Sequence, residues 1–344
     1  MTLAGWMEIA LFCALVAAIT APLGGYMFAV LELGRAPLGL GRLERGLYRL
    51  MGVDETREQS WREYAGALLA FSLVGALLTY AAQRLQGHLP LNPQGLGAVE
   101  PTSAFNTAVS FTTNTNWQGY AGESTMSYLV QMTQLAWHNF VSAAAGIGVA
   151  LALARGLTRR TPGATGVGNF WVDLTRATLY VLLPLSLVAA IVLLACGVPQ
   201  SFAPYPQAAT VEGGTQSIAV GPIASQEAVK ELGTNGGGFL NANSAHPLEN
   251  PTPLSNLIEL VLIFAIPAGL TFTYGKMAGD ARQGWALFAA CALLFLAGVA
   301  VCLWAEAHPN PALAGLPVDQ GAGNMEGKEV RFGVPASALW AVVT

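Results

Sequence analysis

Three stretches of this chain, Ala65 to Ala82, Ala177 to Val198 and Trp285 to Ala305, contain no charged residue. Each is long enough, or nearly so, to cross the roughly 30 Å of a bilayer's hydrocarbon core as a helix. Three more, Ile9 to Leu31, Tyr128 to Ala154 and Leu254 to Tyr274, are apolar but interrupted. The interruptions are Pro22-Leu23-Gly24-Gly25, then Gln131, Gln134, His138 and Asn139, and last Glu259 and Pro267. Neighbouring helices can satisfy a carbonyl freed by proline, so Pro184 and Pro267 read as kinks within spans rather than as breaks between them. Charged residues make up 10% of the chain, against roughly 25% for a soluble protein. A soluble enzyme is therefore excluded, and the expected fold class is an all-α polytopic membrane protein. The four cysteines, Cys13, Cys196, Cys291 and Cys302, all fall in apolar runs without CxxC spacing, and read as small core residues.

Charge sets the orientation. Of the 16 Lys and Arg residues, twelve fall in three loops: Arg35, Arg42, Arg45, Arg49, Arg57 and Arg62, then Arg155, Arg159, Arg160 and Arg176, then Lys276 and Arg282. Arg84, Lys230, Lys328 and Arg331 fall in the alternate loops. Positive residues stay inside, which puts the first set in the cytoplasm and the N-terminus outside. The outer loops are then acidic, with ten Glu and Asp residues from Glu100 to Glu329. Such a face concentrates cations, although positive-inside sorting leaves acids outside by default.

Two of the outer segments share an internal order. In the first, a helix-compatible run from Ser103 to Phe111, with Ser, Thr and Asn at its start, leads into Thr112-Thr113-Asn114-Thr115-Asn116-Trp117-Gln118. In the second, a run from Ser225 to Leu232 with a serine cap leads into Gly233-Thr234-Asn235-Gly236-Gly237-Gly238. Aligning Phe111 with Leu232 lays Thr113-Asn114 over Thr234-Asn235. The repeated unit reads as helix, short re-entrant helix, polar extended loop, helix. Backbone that unwinds at membrane depth exposes carbonyls in need of a partner, and a dehydrated cation is one. The glycines permit conformations closed to other residues, while small Thr and Asn side chains flank a narrow path. Each segment taken singly also reads as a glycine-rich outer linker; it is the repetition that favours pore loops.

The sequences TNTNWQ (Thr113 to Gln118), LGTNGGGFLNANSAHPLENPTP (Leu232 to Pro253) and NMEGKEVRFGV (Asn324 to Val334) resemble the KdpA family, the potassium-binding subunits of the bacterial Kdp potassium-transporting ATPase. LPLNPQ (Leu89 to Gln94) and GPIASQEA (Gly221 to Ala228) extend the resemblance over nearly the whole chain. It implies repeated helix, pore-loop, helix units of a potassium transporter superfamily, ten membrane helices in all, four filter loops around one pore, and an extra helix at each end. On that basis the chain divides into 1–63 (an extra helix and a basic segment), 64–155 and 156–275 (two complete units), and 276–344 (an incomplete third). Carried over by residue, the potassium filter is Thr112, Thr113, Asn114, Thr115, Asn116 and Gln118 with Gly233, Thr234, Asn235, Gly236, Gly237 and Gly238. Potassium is implied as the transported ion, with no organic cofactor and no other metal.

The implied partners are a P-type ATPase catalytic subunit (B), a subunit with a large outer domain (C) and a very small helical one (F). The implied location is the bacterial inner membrane. This chain would be non-catalytic: it has no DKTGT motif, and Gly327-Lys328 is followed by Glu329, with Ala322 where a P-loop's first glycine would sit. The four-loop family pattern also implies that a chain ending at Thr344 is part of a longer subunit or the product of an interrupted gene.

Several residues carry two readings. His138 and Asn139 either line the path below the filter or hydrogen-bond between helices. Lys230 and Glu231 brace the second loop or tune the potential at its mouth, and bracing is preferred. Glu259 is expected near a helix end, reaching the interface. The Arg35 to Arg62 segment, interleaved with leucines, reads as an amphipathic stretch against lipid headgroups, anionic ones included, or as a docking surface for the ATPase subunit. Gly236→Ser and Gln118→Arg are expected to weaken potassium binding without preventing insertion. Competing functions are a secondary ion-coupled transporter, a membrane anchor without transport, and an inactive truncated subunit. No basic patch with interleaved aromatics points to nucleic acid.

Overall fold

A computed structural model describes residues 3–159, 166–240, 243–321, 323–326 and 328–344; Arg160 lies outside them. Six long apolar helices run through the described residues. They are α1 (Leu3–Leu31), α3 (Trp61–Leu85), α5 (Tyr128–Thr158), α6 (Phe170–Cys196), α8 (Pro253–Met277) and α9 (Ala281–Ala307). Shorter helices lie among them: α2 (Gly41–Met51), α4 (Pro101–Thr112), α7 (Ile223–Leu232) and α10 (Gly333–Val343). The chain is an all-α polytopic membrane protein. Extended structure among the described residues is limited to an antiparallel pair, β1 (Gln207–Ala209) with β2 (Thr215–Ser217), turned at Gly213, and two isolated antiparallel bridges, Ser60 with Gly166 and Gln200 with Pro222.

The prolines behave in two ways. Helices α1 and α8 continue through Pro22 and Pro267. Before Pro184, by contrast, the turn Ala177–Leu182 is π-helical. A proline nitrogen cannot bond the carbonyl four residues back and its ring collides with it, and widening the preceding turn removes both conflicts. The run Gln131–Ala136 in α5 is also π-helical, although it contains no proline.

Residues 3–26 with Leu257–Thr344 form one compact unit and Met27–Asn256 another. In the first, Phe12, Phe264 and Phe295 meet with ring centroids 5.0 to 5.7 Å apart. Helices α8 and α9 approach so closely at Gly275 and Gly284 that a Cβ on Gly275 would lie 2.7 Å from the Gly284 nitrogen. Small residues allow such contact where lipid gives no hydrophobic push.

The second unit carries both polar loops. At the end the charge pattern assigns to the cytoplasm, Arg155 donates to Glu32 (2.6 Å) and with two nitrogens to Asp173 (2.6 and 2.9 Å). The Tyr64 hydroxyl adds a bond of 3.0 Å to Asp173. Nearby, buried Glu44 accepts from Arg176 (2.7 Å), Tyr180 (2.7 Å) and Tyr48 (2.9 Å). Helix α2 therefore buries its polar Glu44 and Tyr48 and exposes Leu43, Leu50 and Met51 beside Arg42, Arg45 and Arg49. That is the inverse of a soluble amphipathic helix and suits one lying against lipid.

Candidate functional site

The two short helices, α4 and α7, begin differently from the serine caps expected. Glu100 caps α4, its carboxylate accepting from the Ser103 N–H (2.8 Å). Pro222 precedes α7 without a side-chain cap, while Ser225 instead binds Gln200. Their ends match closely. Thr113 and Gly233 each donate four residues back, to Val109 and Val229; Asn114 and Thr234 three back, to Phe111 and Glu231; Thr115 and Asn235 five back, to Ser110 and Lys230. Asn114 and Thr234 both have left-handed backbone, φ 63° and 57°.

The equivalence is thus Asn114 with Thr234 and Thr115 with Asn235, one residue away from the alignment on Thr-Asn. Helix termination sets the register, because each chain leaves its helix through one left-handed residue, whichever side chain occupies it. Both helices point their C-terminal ends at the loops, where the helix dipole is negative and favours a cation.

The loops meet side by side. Asn114 donates from Nδ2 to the Gly233 carbonyl (3.3 Å) and lies 3.4 Å from the Thr234 hydroxyl. Gln118 bonds both backbone groups of Gly238, accepting from its N–H (2.9 Å) and donating to its carbonyl (3.2 Å). One side chain thereby supplies what a neighbouring strand would. Gly237 has φ +67°, and a Cβ there would lie 2.5 Å from the Asn116 carbonyl. Gly236 is different: a Cβ would meet the Thr115 carbonyl at 3.5 Å, an ordinary contact. Of the three consecutive glycines, Gly237 and Gly238 (φ +148°) therefore carry the conformational requirement and Gly236 does not. Thr113, Thr115 and Thr234 are exposed, and Asn116 and Gly238 are buried.

Helix α5 forms the backing. Asn139 accepts from Asn116 Nδ2 (3.2 Å), and its carbonyl sits where a Cβ on Gly233 would fall, at 2.5 Å. Asn235 points its amide nitrogen at the oxygens of Asn114 and Asn116 or, turned over, at the carbonyls of Asn139 (3.0 Å) and Lys230 (3.3 Å). Ser142 donates to Asn114 (2.7 Å). His138 contacts Gln134 O through Nδ1 (2.8 Å) and Thr112 Oγ1 through Nε2 (3.3 Å). A proton on Nδ1 leaves Nε2 to accept from the threonine. His138 and Asn139 are both buried; His138 meets the last residue of α4, and Asn139 bonds Asn116 of the first loop.

Behind the second loop lies a buried cluster of which only Lys230 and Glu231 were singled out from the sequence. Lys230 and Glu231 are joined by Glu227, Ser244 and Glu249, all buried. Glu227 and Glu231, four apart on α7, share a face, and that spacing was the available signal; Ser244 and Glu249 reach the cluster through a loop with no periodicity to read. Glu259 is fully buried rather than at an interface, because α8 begins six residues before it and carries it inside.

Fold and site together define a polytopic helical membrane protein in which two short helices run by their C-termini into paired, glycine-rich polar loops. A family model described as KdpA, potassium-transporting ATPase A subunit, matches residues 10–344, so the chain belongs to the KdpA family. It is 58% identical to the potassium-transporting ATPase potassium-binding subunit of Mesorhizobium japonicum, aligning over 100% of this chain and 60% of that protein. The proteins of that name in Granulibacter bethesdensis and Rhodospirillum centenum are 58% and 59% identical, with 61% and 60% of their lengths covered. The chain thus spans about 60% of the length of the curated relatives it matches.

Proposed function

We propose that the paired loops are two segments of a potassium filter, and that the chain is the ion-binding, non-catalytic part of an ATP-driven potassium uptake system. Residues 64–155 and 156–275 are then equivalent units, Thr112 to Asn116 and Gly233 to Gly238 line the ion path, and Gln118 sits near its outer mouth. Carbonyls of the two loops replace the hydration shell of potassium entering from outside, the side that also holds the N-terminus. The ion passes to a P-type ATPase subunit, B, in the inner membrane, assembled with C and F, while α2 meets anionic headgroups. The observation that carries this reading is the backbone pattern shared by two helix ends 120 residues apart, with their loops in contact. Family membership supports potassium as the ion.

The test is a potassium titration of ATP-driven uptake by the full-length subunit in its complex, with wild type compared to Gln118→Arg. A guanidinium cannot accept the Gly238 N–H, and it adds positive charge beside the path. Half-saturation at a potassium concentration raised at least about tenfold, with normal membrane insertion, is expected. Unchanged half-saturation, or uptake that needs an ion gradient and no ATP, would overturn the reading.

A further inference from the structure

Where α2 ends and the chain turns through residues 52–56, the two enclose a recess of about 270 Å³. Its lining carries both signs of charge. Arg45 and Arg49, one helical turn apart and therefore neighbours on one face of α2, supply the positive side, and Asp54 and Glu55 the negative. All four side chains are exposed, and among the described residues neither arginine forms an ion pair with these or any other carboxylates. Arg57, Arg155, Arg159 and Arg176 nearby are all paired. Two cationic and two anionic groups thus line one space without neutralising each other, and a ligand carrying both charges would answer both sides.

The recess is held in shape from behind. Tyr48, between the two arginines, is buried and donates to Glu44, which Arg176 and Tyr180 also hold, so that turn of α2 is fixed. Gly52 ends the helix with left-handed backbone, φ 66°, and the Val53 N–H returns to the Tyr48 carbonyl (2.9 Å). Asn169, just before α6, donates to the carbonyls of Asp54 (3.3 Å) and Arg57 (3.1 Å) and ties the turn down. Thr56 donates to Asp54 Oδ1 through its N–H (2.9 Å) and its hydroxyl (2.7 Å). These bonds hold the Asp54 carboxyl below its ordinary pKa, keeping it ionised, and both end on Oδ1, which leaves Oδ2 for a ligand. The setting is a lipid surface: Leu43, Leu50 and Met51 stand exposed on the same helix, Leu50 by 84%.

We propose that this recess binds the phosphoethanolamine group of a membrane lipid, its phosphate on Arg45 and Arg49 and its primary ammonium on Asp54 and Glu55, with the acyl chains beside Leu50 and Met51. The guanidinium fork matches phosphate oxygens, and an ammonium brings three N–H donors to the carboxylates. A headgroup whose only charge is negative would satisfy the arginines but set its charge beside two carboxylates. A trimethylated ammonium has no N–H to give them. The free phosphoethanolamine ion has the same polar chemistry, and the exposed leucine and methionine select the lipid over it. The inference goes beyond the general contact of α2 with anionic headgroups proposed above, and it does not depend on the filter.

The experiment uses the full-length subunit in its complex, delipidated in detergent, and titrates it with short-chain phosphatidylethanolamine, phosphatidylglycerol or phosphatidylcholine while native mass spectrometry counts the lipids bound. The site is read as the lipid that wild type holds and the double variant Arg45→Gln/Arg49→Gln does not. At that site phosphatidylethanolamine should bind at least about fivefold tighter than the other two, and the arginine variant should weaken it at least about tenfold. Asp54→Asn/Glu55→Gln, in which the asparagine oxygen still accepts from Thr56, should weaken phosphatidylethanolamine but not phosphatidylglycerol and bring the preference below about twofold. If a double variant fails to assemble, Arg49→Gln and Glu55→Gln, both exposed and unpaired, give the same comparison. Phosphatidylglycerol binding as well as phosphatidylethanolamine in wild type would reduce the recess to a general anionic contact and overturn the proposal. So would a preference that survives the loss of both carboxylates, or binding indifferent to the arginines. Free phosphoethanolamine displacing the lipid at equal concentration would overturn the assignment to a lipid.

Discussion

Gly237→Ala is expected to damage the site far more than Gly236→Ala, one residue away. At Gly237 the backbone is left-handed, φ +67°, which costs a residue with a Cβ about 1–2 kcal/mol. The new methyl would also lie 2.5 Å from the Asn116 carbonyl, tighter than the 3.4 Å of ordinary contact by about 0.9 Å. Asn116 cannot yield cheaply, since its N–H bonds Ser110 and its side chain bonds Asn139. Overpacking of this kind costs about 1–3 kcal/mol, giving a total of about 2–5. The loop escapes that strain by relaxing when no ion is bound, so the ion must draw it back into place, and apparent affinity falls by the relaxed fraction. With about 1.4 kcal/mol per tenfold, half-saturation by potassium should rise at least about tenfold. Gly236→Ala meets neither a strained φ nor a close atom, and should stay within about threefold of wild type. The assay is potassium-titrated uptake by the full-length subunit in its complex, with a thermal melt to show where strain is absorbed. Equal behaviour of the two alanine variants in both measurements would refute the reasoning.

Arg155→Met leaves Asp173 and Glu32 buried without their cation, a loss of about 3–5 kcal/mol, and should lower the melting temperature sharply; adding Asp173→Asn should recover part of it. Burial pushes the Glu44 carboxyl up, but the donors Tyr180, Arg176 and Tyr48 outweigh it and hold its pKa below the usual value. A lowered folded-state pKa gives stability that is present above the unfolded value and lost as pH falls through the folded one. Glu44→Gln should therefore show a smaller loss of thermal stability on acidification below about pH 4.5 than wild type; a parallel acid limb would count against the Glu44 cluster. Gly275→Val places a Cβ 2.7 Å from the Gly284 nitrogen and should destabilise by about 1–3 kcal/mol, read as a lower melting temperature. His138→Phe removes the acceptor 3.3 Å from Thr112 and should weaken potassium binding by no more than about fivefold, whereas abolition would assign His138 to the ion path itself.

The six spans were legible because hydrocarbon imposes a length and a charge penalty that any window of the sequence reveals. The two loops were legible as a repeat, since glycine and small polar residues recurred after each short helix. Their register was not. Identity suggested Thr113-Asn114 over Thr234-Asn235, but a helix end is set by which residue turns left-handed, and Asn114 and Thr234 do so equally well. Gln118 stood out by position, yet its pairing with Gly238 joins residues 120 apart, a contact no local pattern encodes. Glu259 misled because hydropathy cannot separate an acid at the interface from one folded inward. The Ser244–Glu249 arm of the buried cluster was invisible for a like reason, as its partners come together only when the loop folds back on α7.

The central claim is that the paired loops hold potassium. Growing crystals of the full-length subunit, in its complex, with thallous ion in place of potassium would locate the cation by anomalous scattering. The account predicts a peak within coordination distance of backbone carbonyls from both Thr113 to Thr115 and Gly233 to Gly236. A bound ion coordinated elsewhere, with neither loop contributing a ligand, would contradict it.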